Sequence, residues 1–595
     1  MTSTHPRLFR LRPNATLALL LAATFCLAAC QHEGGIQPGS PSQRSEAELQ
    51  QNEASLVAAN EQAGHAFGPE ISAEDFSAHI KVLASDDFGG RRPGSDGEEK
   101  TVHYLREQFL RLGLEPGNGD SFFQTVSMVE TTTDIASSHM SMANKGKTLD
   151  LKFGEQMVMG TRSGKAEVQV AASPMVFVGY GVNAPEQGWN DYAGLNVKGK
   201  TVVMLINDPG FHNQDASLFE GKRMTYYGRW TYKFEEAARQ GAAAAIIIHD
   251  TAGAGYGWDV VKSSWSGSQF DLLPADEPAP RLPLQGWITG ETANTLFADA
   301  GLNLDKLRAA AGKRGFKALP LGREKFTGNL NSSVKQSQSR NVIARLRGSK
   351  RPDEAILYSA HWDHLGTHKD EPGDNIYNGA IDNATGVAGV LEIAEQFTVQ
   401  NPKPERSVIF LLVTLEESGL LGSAYYAAHP VVPLANTVAV VNIDAMPVVG
   451  LTRDFVVVGL GNSELEDVLR PITDKQQRVL VEESAPEKGQ FFRSDHFSFA
   501  KAGVPALYAK GGIDHVEKGR EFGLSVLEDY TARRYHKASD NFDPDWDLRG
   551  IVQDLNALYQ VGKVLSLDEA WPNYRVGNAF RKVRDASRAN AAAKP

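Results

Sequence analysis

Three apolar runs in this chain each end on residues that ionise. Ala355-Ile-Leu-Tyr358 leads through Ser359 to His361, Ser407–Val413 leads to Glu416-Glu417, and Thr437–Val441 leads to Asp444. The runs are short and rich in β-branched residues, with no polar alternation, the pattern of strands buried on both faces. Between the first two, Gly386–Gln396 places Val387, Val390, Leu391 and Ala394 at helical spacing. Strands alternating with helices predict an α/β fold, a mostly parallel mixed sheet sandwiched by helices. In such a sheet the ligand crevice lies at the carboxyl ends of the strands, which is where His361, Glu416, Glu417 and Asp444 fall.

These residue types point to a divalent metal, because imidazole nitrogen and carboxylate oxygen together suit borderline and hard cations. Asp382 joins them from the turn Gly379-Ala-Ile-Asp382-Asn383-Ala-Thr-Gly386. His361, Asp382, one of the adjacent Glu416 and Glu417, Asp444 and a later histidine suffice for two metal positions if one carboxylate bridges. The glutamate that does not ligate is free to act as a base. Asp363, two residues after His361, is placed to accept the second ring proton of His361 and fix its tautomer. Singly, each motif has a plainer reading: Asp382 as a helix cap, the glutamate pair as solvated surface. Asp444 is harder to dismiss, since a charge abutting a buried strand needs a partner. His364 either lines the site or packs beside it, and Trp362 and Tyr508 are candidates for its wall.

The rest of the chain sets the context. Its 595 residues exceed a single core. A net charge of −11 argues against a nucleic-acid partner. Arg7, Arg10 and Arg12 precede an apolar stretch, Ala15–Ala29, too short for a good membrane span. It ends in Leu-Ala-Ala-Cys30, similar to a bacterial lipobox, which implies a leader at 1–29 and a lipid on Cys30. The two cysteines, Cys26 and Cys30, belong to this segment, so the exported chain has no disulfide and no thiolate ligand. Residues 30–68 read as a flexible tether to the cell envelope, with the outer membrane facing the periplasm preferred. Helices are expected at Ser72–Leu83 and Glu98–Leu112. A second αβ unit is built on Met175–Val178, Thr201–Ile206, Tyr232–Gln240 and Ile246–Ile248. The Arg-, Ala- and Lys-rich end, 576–595, reads as a disordered tail.

The order His361-x-Asp363, Gly379-Ala-x-Asp382-Asn383-x-x-Gly386, Glu416-Glu417-x-Gly419, Asn442-x-Asp444, Ser494-Asp495-His496-x-x-Phe499, Tyr535-His536-x-x-x-Asp540 resembles the M28 family of zinc aminopeptidases. The middle unit resembles the protease-associated (PA) domain inserted in some members. The resemblance implies a zinc-exopeptidase-like catalytic domain from segments 69–135 and 329–575, interrupted by a β-rich α+β PA unit at 136–328. It implies two Zn2+, one held by His361 and Asp444, the other by Glu417 and His536, with Asp382 bridging. Glu416 would be the general base, Asp540 a partner of the ligand set, and His496 a neighbour outside it. Peptides are the expected substrates and N-terminal residues the expected products. A carboxypeptidase or dipeptidase is the alternative, and a non-catalytic binding ectodomain is disfavoured by the intact ligand set.

Overall fold

The computed structural model describes residues 65–592, apart from 145–146, 278 and 369–371. The leader, Cys30 and residues 30–64 of the tether lie outside the described residues. Strands Arg406–Val413, Arg351–His361, Thr437–Asn442 and Ala506–Gly511 lie side by side and run parallel. Alternate residues of each go to opposite faces. Ile356, Tyr358 and Ala360 enter one core with helices Thr385–Thr398 and Arg549–Leu567, while Ala355 and Leu357 enter another with Tyr426 and Phe499. Both faces are dry, which is why these strands carry no polar alternation. Each fully buried aliphatic side chain contributes about 1.5–3 kcal/mol.

Helix Ala73–Leu83 begins where Ser72 Oγ accepts from the Asp75 backbone N–H at 3.0 Å. It buries Phe76, Ile80 and Leu83 in the first core. Helix Asp96–Arg111 is capped by Ser95 and buries Val102, Leu105 and Phe109 there.

A second sheet occupies the middle of the chain. Glu167–Phe177, Thr201–Leu205, Ala244–Ile248 and Leu284–Ile288 are parallel neighbours, and Met157–Gly160 closes the edge antiparallel. One strand, Leu319–Leu346, belongs to both sheets. It pairs with Glu167–Phe177, then with Phe123–Thr133, then with Arg406–Val413. The division expected between residues 328 and 329 falls inside this strand. The polar stretch Asn329–Ser339 is part of this strand. It lies partly on a ribbon open to solvent, so its Ser and Gln residues need no apolar period.

The segment carrying the second sheet also touches the C-terminal part of the chain. Arg223 pairs with Glu482, Lys501 Nζ donates to Glu235 Oε1 at 2.7 Å, and Tyr226 packs on Phe492, Phe497 and Phe580.

The C-terminal segment expected to be disordered instead forms helix Arg581–Ala592. Arg584 is buried and donates to the Thr437 carbonyl at 2.9 Å, and the Arg588 guanidinium lies 3.4 Å from the Trp571 ring centroid. The arginines that suggested a solvated tail hold it to the sheet. Among the described residues no helix is long and apolar enough to cross a membrane.

Candidate metal centre

His361 ends its strand with the side chain buried. Its Nε2 lies 3.3 Å from Asp382 Oδ1 and 3.3 Å from Asp444 Oδ1. The other oxygen of Asp382 turns the opposite way, 3.2 Å from His536 Nε2, which is also 3.1 Å from Glu417 Oε2. Asp382 thus faces two imidazoles with two different oxygens. His361, Asp382 and Asp444 offer donor atoms within 4.8 Å of one another, as do His361, Glu416 and Glu417. His364, left open by the sequence, belongs here too: its Nδ1 is 2.7 Å from Glu417 Oε1, and with Asp382 and Glu417 it makes a third such group.

Local chain geometry explains the motifs. Gly379 has φ 55°, and a Cβ there would meet the Asp382 carbonyl at 2.2 Å and the His364 ring at 2.5 Å. Only glycine fits that position. Asn383 ties the Asp382 turn to the Asp444 turn. Its Oδ1 accepts from Gly386 N at 2.8 Å and Ala445 N at 3.1 Å, and its Nδ2 donates to the Ile443 carbonyl at 3.1 Å. Asp540 accepts from the backbone N–H of Ile381 and of Asp382 at 3.1 Å. Tyr508 and Lys510 both donate to the Asp444 carbonyl at 3.1 Å. His536 follows helix Gly519–Arg533 in a left-handed conformation, φ 55°, with the Tyr535 ring stacked on it at 4.0 Å. That helix is largely exposed and has no apolar stripe, so periodicity does not reveal it.

Asp363 acts differently from the expectation. His361 Nδ1 is 3.1 Å from the Asp363 backbone carbonyl but 3.9 Å from its carboxylate. A carbonyl only accepts, so Nδ1 carries a proton and the ring is held with Nε2 directed at Asp382 and Asp444. The Asp363 carboxylate instead accepts from the backbone N–H of Glu416 at 3.1 Å and of Glu417 at 3.4 Å. Spacing alone places the aspartate near His361; the turn of the backbone decides which atom reaches it. Trp362 is wholly buried, with Nε1 donating to the Arg340 carbonyl. His496 is also buried, between Phe491 and Tyr508, and is drawn down to about 3 by burial.

Arg91, which the sequence presents only as part of a turn, holds the centre from beneath. It is 1% exposed. Nε donates to the Trp362 carbonyl at 2.9 Å, Nη1 to Leu83 at 2.7 Å and Asn378 at 2.5 Å, and Nη2 to Gly379 at 2.9 Å. One guanidinium therefore fixes both the His361–Asp363 turn and the turn before Asp382.

The electrostatics demand positive charge. Among the described residues, Asp382, Glu416, Glu417 and Asp444 have no Lys or Arg ion pair. Burial alone would lower His361, yet Glu416, Asp382 and Asp444 raise it well above the ordinary imidazole range. His536, against the same effect of burial, is raised to about 10 by Asp382 and Glu417. Burial pushes Glu416 well above the carboxylate range, opposed by His361 and reinforced by Glu417, Asp444 and Asp495. Burial and Asp382 would raise Glu417, but its bonds to His364 and His536 bring it to about 2. A cluster that draws protons onto its imidazoles so strongly is built for cations. The donor set of nitrogen and carboxylate oxygen fits divalent metal, zinc included.

Residues 341–560 match the model of peptidase family M28. A probable zinc metalloprotease of Pyrenophora teres is 34% identical over 127 residues, 21% of this chain and 23% of that protein. A glutamate carboxypeptidase 2 homolog of Caenorhabditis elegans is 28% identical over 231 residues, 36% of this chain and 26% of that protein. The chain thus spans about a quarter of the length of these curated relatives. An aminopeptidase from Aneurinibacillus superposes over 84% of this chain and 94% of its own, at 19% identity and a TM-score of 0.44.

Proposed function

We propose that this chain, which carries a peptidase family M28 segment over residues 341–560, is a co-catalytic two-zinc exopeptidase that removes N-terminal residues from peptides. The observation that carries this reading is Asp382, whose two oxygens face His361 and His536 separately. His361 and Asp444 would hold one ion, Glu417 and His536 the other, and Asp382 both. Bound there, the ions supply Lewis acidity toward water and the scissile carbonyl.

The chain's own groups do the rest. Glu416 accepts a proton from the attacking water at its carboxylate and returns it to the nitrogen of the leaving amine. Asp363 fixes the backbone of Glu416 and Glu417. Asp540 and Asn383 fix the turn that presents Asp382. Lys510 and Tyr508 hold the Asp444 carbonyl. The His361 ring donates through Nδ1 to a carbonyl, so its Nε2 would be the atom offered to an ion.

The test is a panel of matched peptides with free and acetylated N-termini, assayed with zinc and with a chelator. Acetylation is expected to lower kcat/KM by at least about 100-fold, since an enzyme selective for a free N-terminus loses its polar contacts to the amine when it is blocked. Chelation is expected to abolish turnover, and zinc to restore it. Full activity on acetylated peptides would favour the second reading, a carboxypeptidase or dipeptidase. Similarity to the nematode carboxypeptidase homolog supports that alternative.

The proposal includes a PA-like role for the inserted unit in bordering the cleft, and lipid attachment at Cys30 with placement at the cell envelope, on the outer membrane facing the periplasm. Cys30→Ser is expected to move the protein from the membrane fraction to the soluble one. Unchanged sedimentation with membranes would overturn the anchor.

A further inference from the structure

His364 belongs to the centre but has no place in the two-ion set. Its side chain is fully buried, and its Nδ1 lies 2.7 Å from Glu417 Oε1. Its Nε2 is buried as well and meets no hydrogen-bond partner. Among the described residues the ring has one polar contact, and it is Glu417. A ring buried with one nitrogen unmet costs stability that an apolar residue of the same size would not.

The spacing of donor atoms separates a ligand from the partner of a ligand. Atoms bound about 2.0–2.1 Å from a tetrahedral zinc lie about 3.3 Å from one another. Contacts within the proposed ligand set have that spacing. His361 Nε2 is 3.3 Å from Asp382 Oδ1 and 3.3 Å from Asp444 Oδ1. His536 Nε2 is 3.2 Å from Asp382 Oδ2 and 3.1 Å from Glu417 Oε2. His364 is the exception. At 2.7 Å its Nδ1 is too close to Glu417 Oε1 for both to sit on one tetrahedral ion, and the distance is that of a charge-assisted N–H···O bond. An ionised carboxylate only accepts, so Nδ1 donates.

The surroundings hold the ring in that orientation. The His364 backbone N–H donates to the Arg91 carbonyl at 3.3 Å. A Cβ on Gly379 would lie 2.5 Å from His364 Cδ2, so the ring rests on the backbone of the turn that leads to Asp382. The His536 ring meets it in a T-shaped arrangement at 5.9 Å. We propose that His364 is a positioning residue for Glu417. It donates to Oε1 and so leaves Oε2, the oxygen turned to His536, as the one offered to the second zinc ion. The ring also sets the separation between Glu417 and the Asp382 turn. This deepens the two-zinc exopeptidase reading and rests on it.

The experiment equilibrates full-length wild type, His364→Phe and His364→Asn with buffered free zinc and counts the ions bound. Phenylalanine keeps a ring and removes the donor, whereas the asparagine amide returns an N–H near the place of Nδ1. Wild type is expected to bind two zinc ions. His364→Phe is expected to hold one as wild type does and the other about 10–100-fold more weakly. On an aminoacyl chromogenic substrate, kcat should fall with the second ion at unchanged KM and return as free zinc is raised. His364→Asn is expected to recover part of the affinity. Equal weakening of both ions, or wild-type affinity in His364→Phe, would overturn the role.

A second readout needs neither a variant nor turnover. Wild type is loaded with spin-active cadmium and labelled with heavy nitrogen at histidine, and nuclear magnetic resonance counts the imidazoles coupled to the metal. Two are expected. Coupling at a third would make His364 a ligand and overturn the positioning role. If wild type binds two ions but cleaves no peptide, the exopeptidase reading fails, and the role of His364 stands or falls on the metal readouts alone. If it binds fewer than two, both fall.

Discussion

Glutamine at position 416 is expected to lower kcat on an aminoacyl chromogenic substrate by about 10³-fold. Zinc content should stay at the wild-type level, and the unfolding midpoint should not fall. Glutamine keeps the size of glutamate and its hydrogen-bonding reach, but it cannot take a proton from water. Glu416 lies with His361 and Glu417 in a group whose donor atoms are within 4.8 Å of one another, so the loss is at the proton acceptor and not in the shape of the cleft. Removing one of several crowded carboxylates also relieves like-charge repulsion, which is why the metal-free fold should not suffer. Glu417→Gln is the control. It faces His364 and His536, and its expected signature is lost metal stoichiometry along with lost turnover. Full activity in Glu416→Gln would remove the glutamate from the mechanism. Loss of zinc in that variant would reassign it from base to ligand.

The two glutamates illustrate what could be read in the chain. The doubly buried strands are visible as apolar runs, and residues at their carboxyl ends are forced into the crevice whatever the loops do. His361, Glu416, Glu417 and Asp444 were legible for that reason. Asp382 and His536 lie away from strand ends: Asp382 was read from its glycine-rich turn, and His536 was named only through the resemblance to the M28 family. The roles of Asp363 and Asn383 were not legible, because each depends on how a turn directs one carboxylate or amide. Asp363 was expected on the His361 ring and is found on the backbone of Glu416. The final helix was hidden for a related reason. The partners of Arg584 and Arg588 are a carbonyl at Thr437 and the ring of Trp571, and a cation that binds a carbonyl or a ring looks like a solvated one in sequence.

Arg91→Met is expected to lower the unfolding free energy by about 3–5 kcal/mol and to weaken zinc binding at the same time. Methionine fills much of the volume but donates nothing. The carbonyls of Leu83, Trp362, Asn378 and Gly379 would lose their donor in a place where water has little access. Each buried acceptor left unmet costs about 1–3 kcal/mol, and partial relaxation keeps the total below the sum. The loss of charge acts in the same direction, because Asp540, Asp382, Asp363 and Glu417 all lie within its field. Burial lowers Arg91 only to about 10, so the native residue remains a cation at neutral pH. Gly90 leaves little room to adapt, since a Cβ there would sit 2.5 Å from the Tyr377 carbonyl and 2.6 Å from that of Gly366. Lysine is expected to recover the charge but only part of the stability, because a single ammonium cannot reach carbonyls on three separate segments. Denaturant unfolding with and without zinc measures both effects. A variant that unfolds like wild type but binds zinc weakly would show that Arg91 serves the centre alone. One that is equally destabilised with and without zinc, at unchanged affinity, would confine it to the fold. The predicted outcome is both losses together, because the same guanidinium grips the turn after His361 and the turn before Asp382.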